Sequence, residues 1–406
     1  MKKLKLLVIA LMLSAIAPMA QAQKLNEVAQ PIHRWKHRQE IVIPQILGYN
    51  VYKADLHTHT IYSDAEVTPS YRVREAWRHG LDIVAITDHI EWRGTERKLV
   101  QYMDRYIPEE YNNRSRGVNV NMMHDPSLLE LGILSNLNAG YEQAVEANQQ
   151  FGLLVIRGAE ITRGDNHFNA IFTTDNNKIF HPDLETSMRN ALKQGALVMH
   201  NHPSTDKSTA TNFTLIAEDL YKKGLITGIE IGNSIGLRTS FIDYCIANNY
   251  TPLSNSDVHA TIEEMYFTDD NEGFYRNMTL ILAHECTAEA VKEALQQGRC
   301  IAYFNNKLIG KEEYLAELFK QSVSIEHMCD DRKEAKVVLI NKSSFHYQIK
   351  YNGKDTAVVH AMGAVQIGLP VGASEVEFTA TNLLCGKNEH PKVKMTFERK
   401  VSPGKK

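Results

Sequence analysis

The sequence has no surplus of basic residues. Its 406 residues include 45 Lys and Arg against 48 Asp and Glu, a formal net charge of −3, whereas nucleic-acid-binding domains usually carry a basic excess. We therefore expect no nucleic-acid partner. Hydrophobic residues make up 43% and charged residues 23% of the chain, and no low-complexity tract or internal repeat is visible. This composition excludes a disordered or fibrous protein.

Cysteine is also scarce. The five cysteines are widely spaced, and no two of them form a C-x-x-C pair. Such a set predicts neither a disulfide framework nor a closed structural zinc site built on cysteine. An oxidising compartment would allow one disulfide, but the spacing does not select a pair.

The sequence lacks an apolar run of the ~20 residues that a membrane-spanning helix needs. The run Leu6–Ile16 is shorter; it follows a basic start and precedes the pattern Ala20-Gln21-Ala22. These three features are typical of a cleavable secretory signal. We expect residues 1–22 to be removed and the mature chain, without a membrane span, to be periplasmic or secreted.

Short apolar runs alternate with amphipathic segments between residues 49 and 305. This alternation predicts an α/β fold with a parallel sheet, and the number of units favours closure into a barrel. The predicted strands are Tyr52–Leu56, Asp82–Thr87, Leu153–Gly158, Phe168–Phe172, Ala196–His200, Gly228–Ile231, Thr251–Asn255, Thr279–Ala283 and Cys300–Phe304.

Three further segments complete the chain. Residues 23–48 are an N-terminal extension, residues 306–329 a linker helix, and residues 330–406 a strand-rich region that we expect to form a small β-sandwich. Within the barrel, Trp92–Leu137 is a long insertion that begins just after a strand end. Loops at such positions often cover active sites.

Histidines and carboxylates cluster at the ends of five predicted strands. His57 and His59 share one face of an extended segment, because residues i and i+2 of a strand point the same way. The clusters are Asp55–Asp64, Thr87–His89, Gly158–Glu160 with His167, His200–Pro203 and Ser256–His259. In a barrel the carboxyl ends of strands converge on one cavity. The clusters therefore predict a shared site for two or three divalent ions, and imidazole and carboxylate ligands suit Mn, Zn or Fe.

The order and spacing of these motifs resemble the PHP (polymerase and histidinol phosphatase) superfamily. The resemblance covers residues 50–304 and rests on Asp-Leu-His-Thr-His-Thr…Ser-Asp, Thr-Asp-His, Gly-Ala-Glu, Gly164–His167, Asn-His-Pro and Ser-Asp-x-His. It implies a distorted (β/α)7 barrel with a trinuclear metal centre that hydrolyses phosphoesters. The signal peptide and the C-terminal β domain are most similar to those of secreted Sb-PDE-type phosphodiesterases, whose relatives include carbamate hydrolases.

Carried over position by position, the resemblance implies nine metal ligands. They are His57, His59, Asp64, His89, Glu160, His167, His202, Asp257 and His259. Glu160 would bridge two ions; how Asp64, His202 and His259 divide among the ions stays open. His200 and Asp88 are the catalytic candidates, His200 as a proton donor or a support for the ligands and Asp88 as a carboxylate that orients His89 or its neighbours.

Three residues are candidates for substrate contact: Arg93, Arg163 and Asn201. The two arginines would neutralise a phosphate at the rim, and solvated loop charges are the alternative interpretation.

The predicted function is hydrolysis of a small organic phosphoester by a metal-bridging hydroxide. Because arginines are few around the motifs, a singly charged diester is favoured over a monoester. The alternatives are a phosphomonoesterase of the histidinol-phosphatase or nucleotidase type, a carbamate or carboxyl-ester hydrolase, and an exported metal- or ligand-binding protein without catalysis. The oligomeric state is not predicted.

Overall fold

The computed structural model describes residues 37–91, 93, 136–209, 211–266 and 275–399. The predicted signal peptide, residues 23–36 of the predicted extension and nearly all of the insertion Trp92–Leu137 lie outside the described residues. No helix in the described part of the chain is long and apolar enough to cross a membrane.

A sheet of twelve strands is the largest element of the fold. Its strands are β1 (Asn50–Asp55), β2 (Ile83–Ile86), β3 (Leu154–Arg163), β4 (Asn166–Ile171), β5 (Leu197–His200), β6 (Gly228–Asn233), β7 (Gly236–Leu237), β8 (Thr251–Asn255), β9 (Met278–Ala283), β10 (Cys300–Phe304), β11 (Lys307–Gly310) and, much later in the chain, β18 (Leu383–Leu384). All nine predicted strands are present.

The sheet is mixed, and the prediction of a parallel sheet is wrong for part of it. β1, β2 and β3 pair in parallel, as do β5, β6 and β8. β4 runs antiparallel between β3 and β5, and β9 runs antiparallel between β1 and β10. The antiparallel direction of β4 follows from its connection to β3. The two strands are joined by a two-residue hairpin turn after Arg163, with Gly164 at φ 56°. Such a short turn cannot make the crossover that parallel strands require.

Side-chain hydrogen bonds curl the sheet back on itself. The hydroxyl of Thr279 on β9 accepts from the backbone N–H of Ser254 on β8 (3.0 Å) and donates to its carbonyl (3.1 Å). The backbone N–H of Leu56, just after β1, donates to the side chain of Asn255 (3.0 Å). These bonds join β8 to β9 and to the end of β1, so the carboxyl ends of the parallel strands face one end of the half-barrel.

Eight helices pack around the sheet. They are α1 (Pro69–Arg78), α2 (Ala139–Asn148), α3 (Leu184–Lys193), α4 (Leu215–Lys222), α5 (Ile242–Ala247), α6 (Ile262–Tyr266), α7 (Ala288–Gln296) and α8 (Glu312–Ser322) among the described residues. Four of them begin at a side chain that caps a free backbone N–H: Thr68, Asp183, Thr214 and Thr287. Such caps fix where a helix starts.

Two small antiparallel sheets follow the barrel. One contains β12 (Val323–Asp330), β13 (Glu334–Asn341) and β16 (Ala364–Pro370); the other contains β14 (Tyr347–Tyr351), β15 (Asp355–Val359), β17 (Glu375–Ala380) and β19 (Lys392–Thr396). The segment 306–329, predicted as a linker helix, thus holds α8 but also β11 and most of β12. Because β18 pairs with β11, and Tyr347 and Phe378 share a core with Leu282 and Tyr303, this region packs directly on the barrel.

Candidate metal centre

The structure brings eight of the nine predicted ligands together at the end of the half-barrel. Their ligand atoms form three groups, and the atoms within a group lie within 4.8 Å of one another. The first group is His57, His59, Glu160 and Asp257, the second is His59, Asp64, His89 and His259, and the third is His89, Glu160 and His167. Since His59, His89 and Glu160 each belong to two groups, the three groups form one continuous centre.

The first group surrounds a single point. His57 Nε2 lies 3.1 Å from Asp257 Oδ1 and 3.3 Å from Glu160 Oε2, and His59 Nε2 lies 3.1 and 3.2 Å from the same two oxygens. Ligands about 2.0–2.1 Å from one tetrahedral ion are roughly 3.3 Å from each other. The observed spacing therefore fits a divalent ion held by two imidazoles and two carboxylates.

Glu160 connects the first group to the third. Its Oε2 faces His57 and His59 and also lies 3.3 Å from Nδ1 of His89, whereas its Oε1 lies 3.0 Å from Nδ1 of His167. The side chain is 1% exposed and accepts a hydrogen bond from the amide of Asn201 at Oε1 (2.7 Å). A carboxylate whose two oxygens together face the imidazoles of two ligand groups is placed to bridge two ions.

Asp64 supplies a further observation in favour of metal. Its Oδ2 lies 3.2 Å from Nε2 of His259 and 3.6 Å from Nε2 of His89. Its Oδ1 is buried and has no hydrogen-bond partner among the described residues. A buried carboxylate oxygen without a partner is costly, and a cation between Asp64 and the imidazoles would remove that cost.

Opposite charges inside the centre compensate for its burial. Burial lowers the pKa of His59, but hydrogen bonds to Asp257 and Glu160 raise it to about 10. Burial raises the pKa of Glu160, but the charges of His89 and His57 hold it well below its ordinary range. The carboxylates thus require positive charge beside them, and divalent ions would supply it in place of protons.

His202, the ninth predicted ligand, lies just outside the three groups. Its Nε2 is 3.6 Å from Asp257 Oδ2 and 3.8 Å from Glu160 Oε1. The backbone of His202 is left-handed, with φ 25°, a conformation that is strained for a residue other than glycine. This bend directly after β5 turns the imidazole towards the centre.

The structure does not place His200 in the centre. Its ring stacks on Phe168, with ring centroids 4.7 Å apart, and its Nδ1 lies 3.1 Å from the hydroxyl of Tyr221. Burial lowers the pKa of His200 to about 3, so the ring is neutral. A proton-donor role does not fit these contacts, because the side chain of His200 lies in the layer between sheet and helices, against Phe168 and Tyr221.

Asp88 holds a loop. Its Oδ1 accepts from the backbone N–H of Thr60 (2.7 Å) and the hydroxyl of Ser63 (2.8 Å), and its Oδ2 accepts from the hydroxyl of Thr60 (2.8 Å). These contacts fix the loop that carries Asp64. Asp88 thus positions that loop, and its contacts fit the predicted orienting role better than a catalytic one.

The three predicted substrate residues are engaged with the protein itself. Asn201 holds Glu160, as described above. Arg93 is 1% exposed and donates to the backbone carbonyl of His89 (3.0 Å). Arg163 pairs with the buried carboxylate of Glu91 and donates to the carbonyl of Pro182 (3.1 Å). The predicted substrate role does not fit these contacts, because each side chain is already committed.

Sequence reasoning missed Glu230 on β6. Its side chain is 0% exposed, its Oε1 lies 3.1 Å from Nδ1 of His57, and its Oε2 accepts from the backbone N–H of His202 (2.8 Å). The sequence did indicate a partnered role for this residue, since a lone carboxylate in the apolar run Gly228–Ile231 must find a partner when buried.

Two further residues tie the motifs together. Arg72 on α1 donates to the backbone carbonyls of His59 (3.1 Å), Val258 (3.2 Å) and Ala260 (3.0 Å). Asp55 accepts from the hydroxyl of Ser256 (2.6 Å). Both contacts join the first motif to the fifth, although about 200 residues separate the two in the chain.

The chain is similar to a known protein family and to solved structures. The PHP domain matches residues 55–352. A crystal structure from Bacteroides vulgatus, of a two-domain protein containing a predicted PHP-like metal-dependent phosphoesterase, is 28% identical with a TM-score of 0.73 and covers 89% of this chain and 99% of that chain.

Two other structures overlap less. A lesion-specific endonuclease from Pyrococcus furiosus is 15% identical with a TM-score of 0.36, covering 61% of this chain and 56% of that chain. An amidohydrolase from Chromobacterium violaceum with bound sulfate and no metal is 13% identical with a TM-score of 0.35, covering 52% and 89%. Among curated proteins none matches this chain significantly.

Proposed function

Because this chain belongs to the PHP domain family, whose match spans residues 55–352, we propose that it is a metal-dependent phosphodiesterase acting on small organic phosphoesters. The observation that carries the proposal is the continuous centre of three ligand groups joined through His59, His89 and Glu160. A centre of this kind suits in-line displacement at phosphorus, which places charge on several oxygens at once.

The eight grouped residues, with His202 beside them, would hold two or three ions, and their imidazole and carboxylate donors suit Mn, Zn or Fe. When bound, such ions lower the pKa of a shared water and neutralise phosphoryl oxygens. The chain's own contribution is orientation. Glu230 fixes the ring of His57, Asn201 fixes Glu160, and Asp88 fixes the loop that presents Asp64.

The preference for a diester rests on the arginine side chains near the centre. A monoester carries a second negative charge, which enzymes usually meet with Arg or Lys. Arg93 and Arg163 are both occupied by protein groups, so neither supports a dianionic substrate.

Three chromogenic substrates with added Mn²⁺ test the proposal: bis(p-nitrophenyl) phosphate, p-nitrophenyl phosphate and p-nitrophenyl acetate. We expect the diester to have the highest kcat/KM. A tenfold or greater preference for the monoester, about 1.4 kcal/mol, would overturn the diester assignment. Turnover of the acetate alone would favour the carboxyl-ester or carbamate hydrolase, and no turnover would favour an exported binding protein. A Glu160→Gln variant purified in parallel excludes a contaminating phosphatase.

The other finer assignments are also proposals. We propose the Sb-PDE-type subfamily with a (β/α)7 barrel, and export after cleavage behind Ala22, which the motif Ala20-Gln21-Ala22 supports. Mass spectrometry of the protein recovered from the periplasm or medium tests export, because the expected mature chain begins at Gln23. A cytoplasmic protein that keeps its first 22 residues would contradict it.

A further inference from the structure

Arg238 lies immediately after the short hairpin formed by β6 and β7. Its backbone N–H donates to the carbonyl of Ile231 (2.8 Å), which continues the pairing of Asn233 with Gly236 and of Gly232 with Leu237. Gly236 pairs with Asn233, and Leu237 packs against the hydrophobic cluster that includes Ile231. Since side chains alternate along a strand, Arg238 points away from that cluster, to the face of Gly236 and Asn233.

That face adjoins the metal centre. The amide of Asn233 donates to Glu230 Oε2 (2.8 Å) and to Asp257 Oδ2 (3.2 Å). The guanidinium of Arg238 folds over Gly236, where an added Cβ would lie 3.5 Å from its NH1. The guanidinium therefore packs beside Gly236, on the side of the hairpin where Asn233 contacts Glu230 and Asp257.

The charge of Arg238 is not neutralised by a direct partner. Arg238 is half-buried, and no carboxylate in the part of the chain that the structure describes forms an ion pair with it. Burial lowers its pKa, while the more distant carboxylates of Glu230 and Asp257 raise it. Those two carboxylates contact His57 and the ligand group, so no anion among the described residues occupies the donors of the guanidinium.

We propose that Arg238 binds a non-bridging phosphoryl oxygen of the substrate, an assignment that rests on the function proposed above. A planar guanidinium offers paired N–H donors that match two oxygens of a phosphoryl group, which a lysine ammonium cannot reproduce. Arg238 takes the role that the sequence analysis gave to Arg93 and Arg163. One cation at the rim suits the single charge of a diester.

The test compares Arg238→Met and Arg238→Lys with the wild type and with Arg189→Met. Arg189 is an exposed residue of α3 that pairs with Glu185, so its loss controls for removing an arginine. Three quantities are measured on metal-loaded protein: the metal content, the Kd of inorganic phosphate by calorimetry, and kcat/KM for bis(p-nitrophenyl) phosphate.

We expect Arg238→Met to keep its metal, to bind phosphate roughly 10- to 100-fold more weakly, and to lose a similar factor in kcat/KM, as removal of a charged hydrogen bond predicts. Arg238→Lys should recover only part of the loss. An unchanged phosphate Kd, or a loss of metal that accounts for the weaker binding, would overturn the assignment. If the wild type hydrolyses no phosphoester, the proposed function fails, while the phosphate Kd still decides the role of Arg238.

Discussion

The carboxylate of Glu230 lies 3.1 Å from Nδ1 of His57, on the side of the imidazole opposite to Nε2, the atom that faces Glu160 and Asp257. The same carboxylate accepts from the amides of Asn233 (2.8 Å) and Asn255 (3.0 Å). A histidine ligand whose second nitrogen meets a carboxylate is fixed in ring orientation and is a stronger donor to metal. Glu230 thus aligns His57 without being a ligand.

Replacing Glu230 by Gln should weaken metal binding while the protein remains folded. The loss of this partner is expected to cost about 10- to 100-fold in metal affinity, measured by competition with a chromogenic chelator. Glu146→Gln, an exposed change on α2, is the matched control and should leave the affinity unchanged. An affinity within twofold of the wild type would contradict the aligning role.

Metal analysis of the purified protein should return two to three equivalents. Glu160→Gln is expected to lose at least one equivalent and the hydrolytic activity, because it removes a negative charge from two ligand groups at once. His57→Gln should do the same, whereas His284→Gln, an exposed histidine outside the centre, should lose neither. A single tightly held ion in the wild type would disprove the bridging geometry.

The strands were predictable because their apolar runs are bounded by glycine and polar residues. The predicted strands Thr251–Asn255 and Cys300–Phe304 match the structure residue for residue. The strand β12, Val323–Asp330, was missed because its exposed end, with Glu326 and Cys329, gives no apolar alternation. The antiparallel direction of β9 depends on packing against β1, which a local pattern does not contain.

The candidate site was predictable in its membership but not in its detail. Residues that follow strands converge by topology alone, so the eight grouped ligands come together. Which way one side chain points depends on local backbone and on neighbours distant in sequence. His200 and His202 are two residues apart, yet the left-handed backbone at His202 sends one ring to the centre and leaves the other against Phe168 and Tyr221.

Arg72 should be important for stability as well as for the site. It is 1% exposed and pairs with the buried carboxylate of Glu75 at 2.5 Å. Arg72→Met leaves that carboxylate without its cation and removes the hydrogen-bond donor of three backbone carbonyls. We therefore expect the unfolding free energy to fall by about 3–5 kcal/mol, measured by urea denaturation. The double variant Arg72→Met, Glu75→Gln should recover part of the loss. Arg189→Met, on the surface, should lower the unfolding free energy by less than about 1 kcal/mol. If Arg72→Met and Arg189→Met lowered it equally, the buried pair would not stabilise the fold.

The pairing of Glu263 with α1 should make stability depend on pH in the acid range. The carboxylate, on α6, pairs with Arg78 and lies 3.6 Å from Nε2 of His79. Burial raises the pKa of Glu263, but its contact with His79 and the charge of Arg78 lower it to about 2.

Because the folded-state pKa of Glu263 lies below its ordinary value of about 4.3, the pair stabilises the fold fully above that value. This stabilisation is lost as the pH falls towards 2. Glu263→Gln should therefore be less stable than the wild type at pH 7, and the difference should shrink when both are unfolded by urea at pH 3 in the presence of a chelator. Glu146→Gln, without a comparable partner, should show no such convergence. If the difference in stability between Glu263→Gln and the wild type stayed constant from pH 7 to pH 3, the charge of Glu263 would not stabilise the fold.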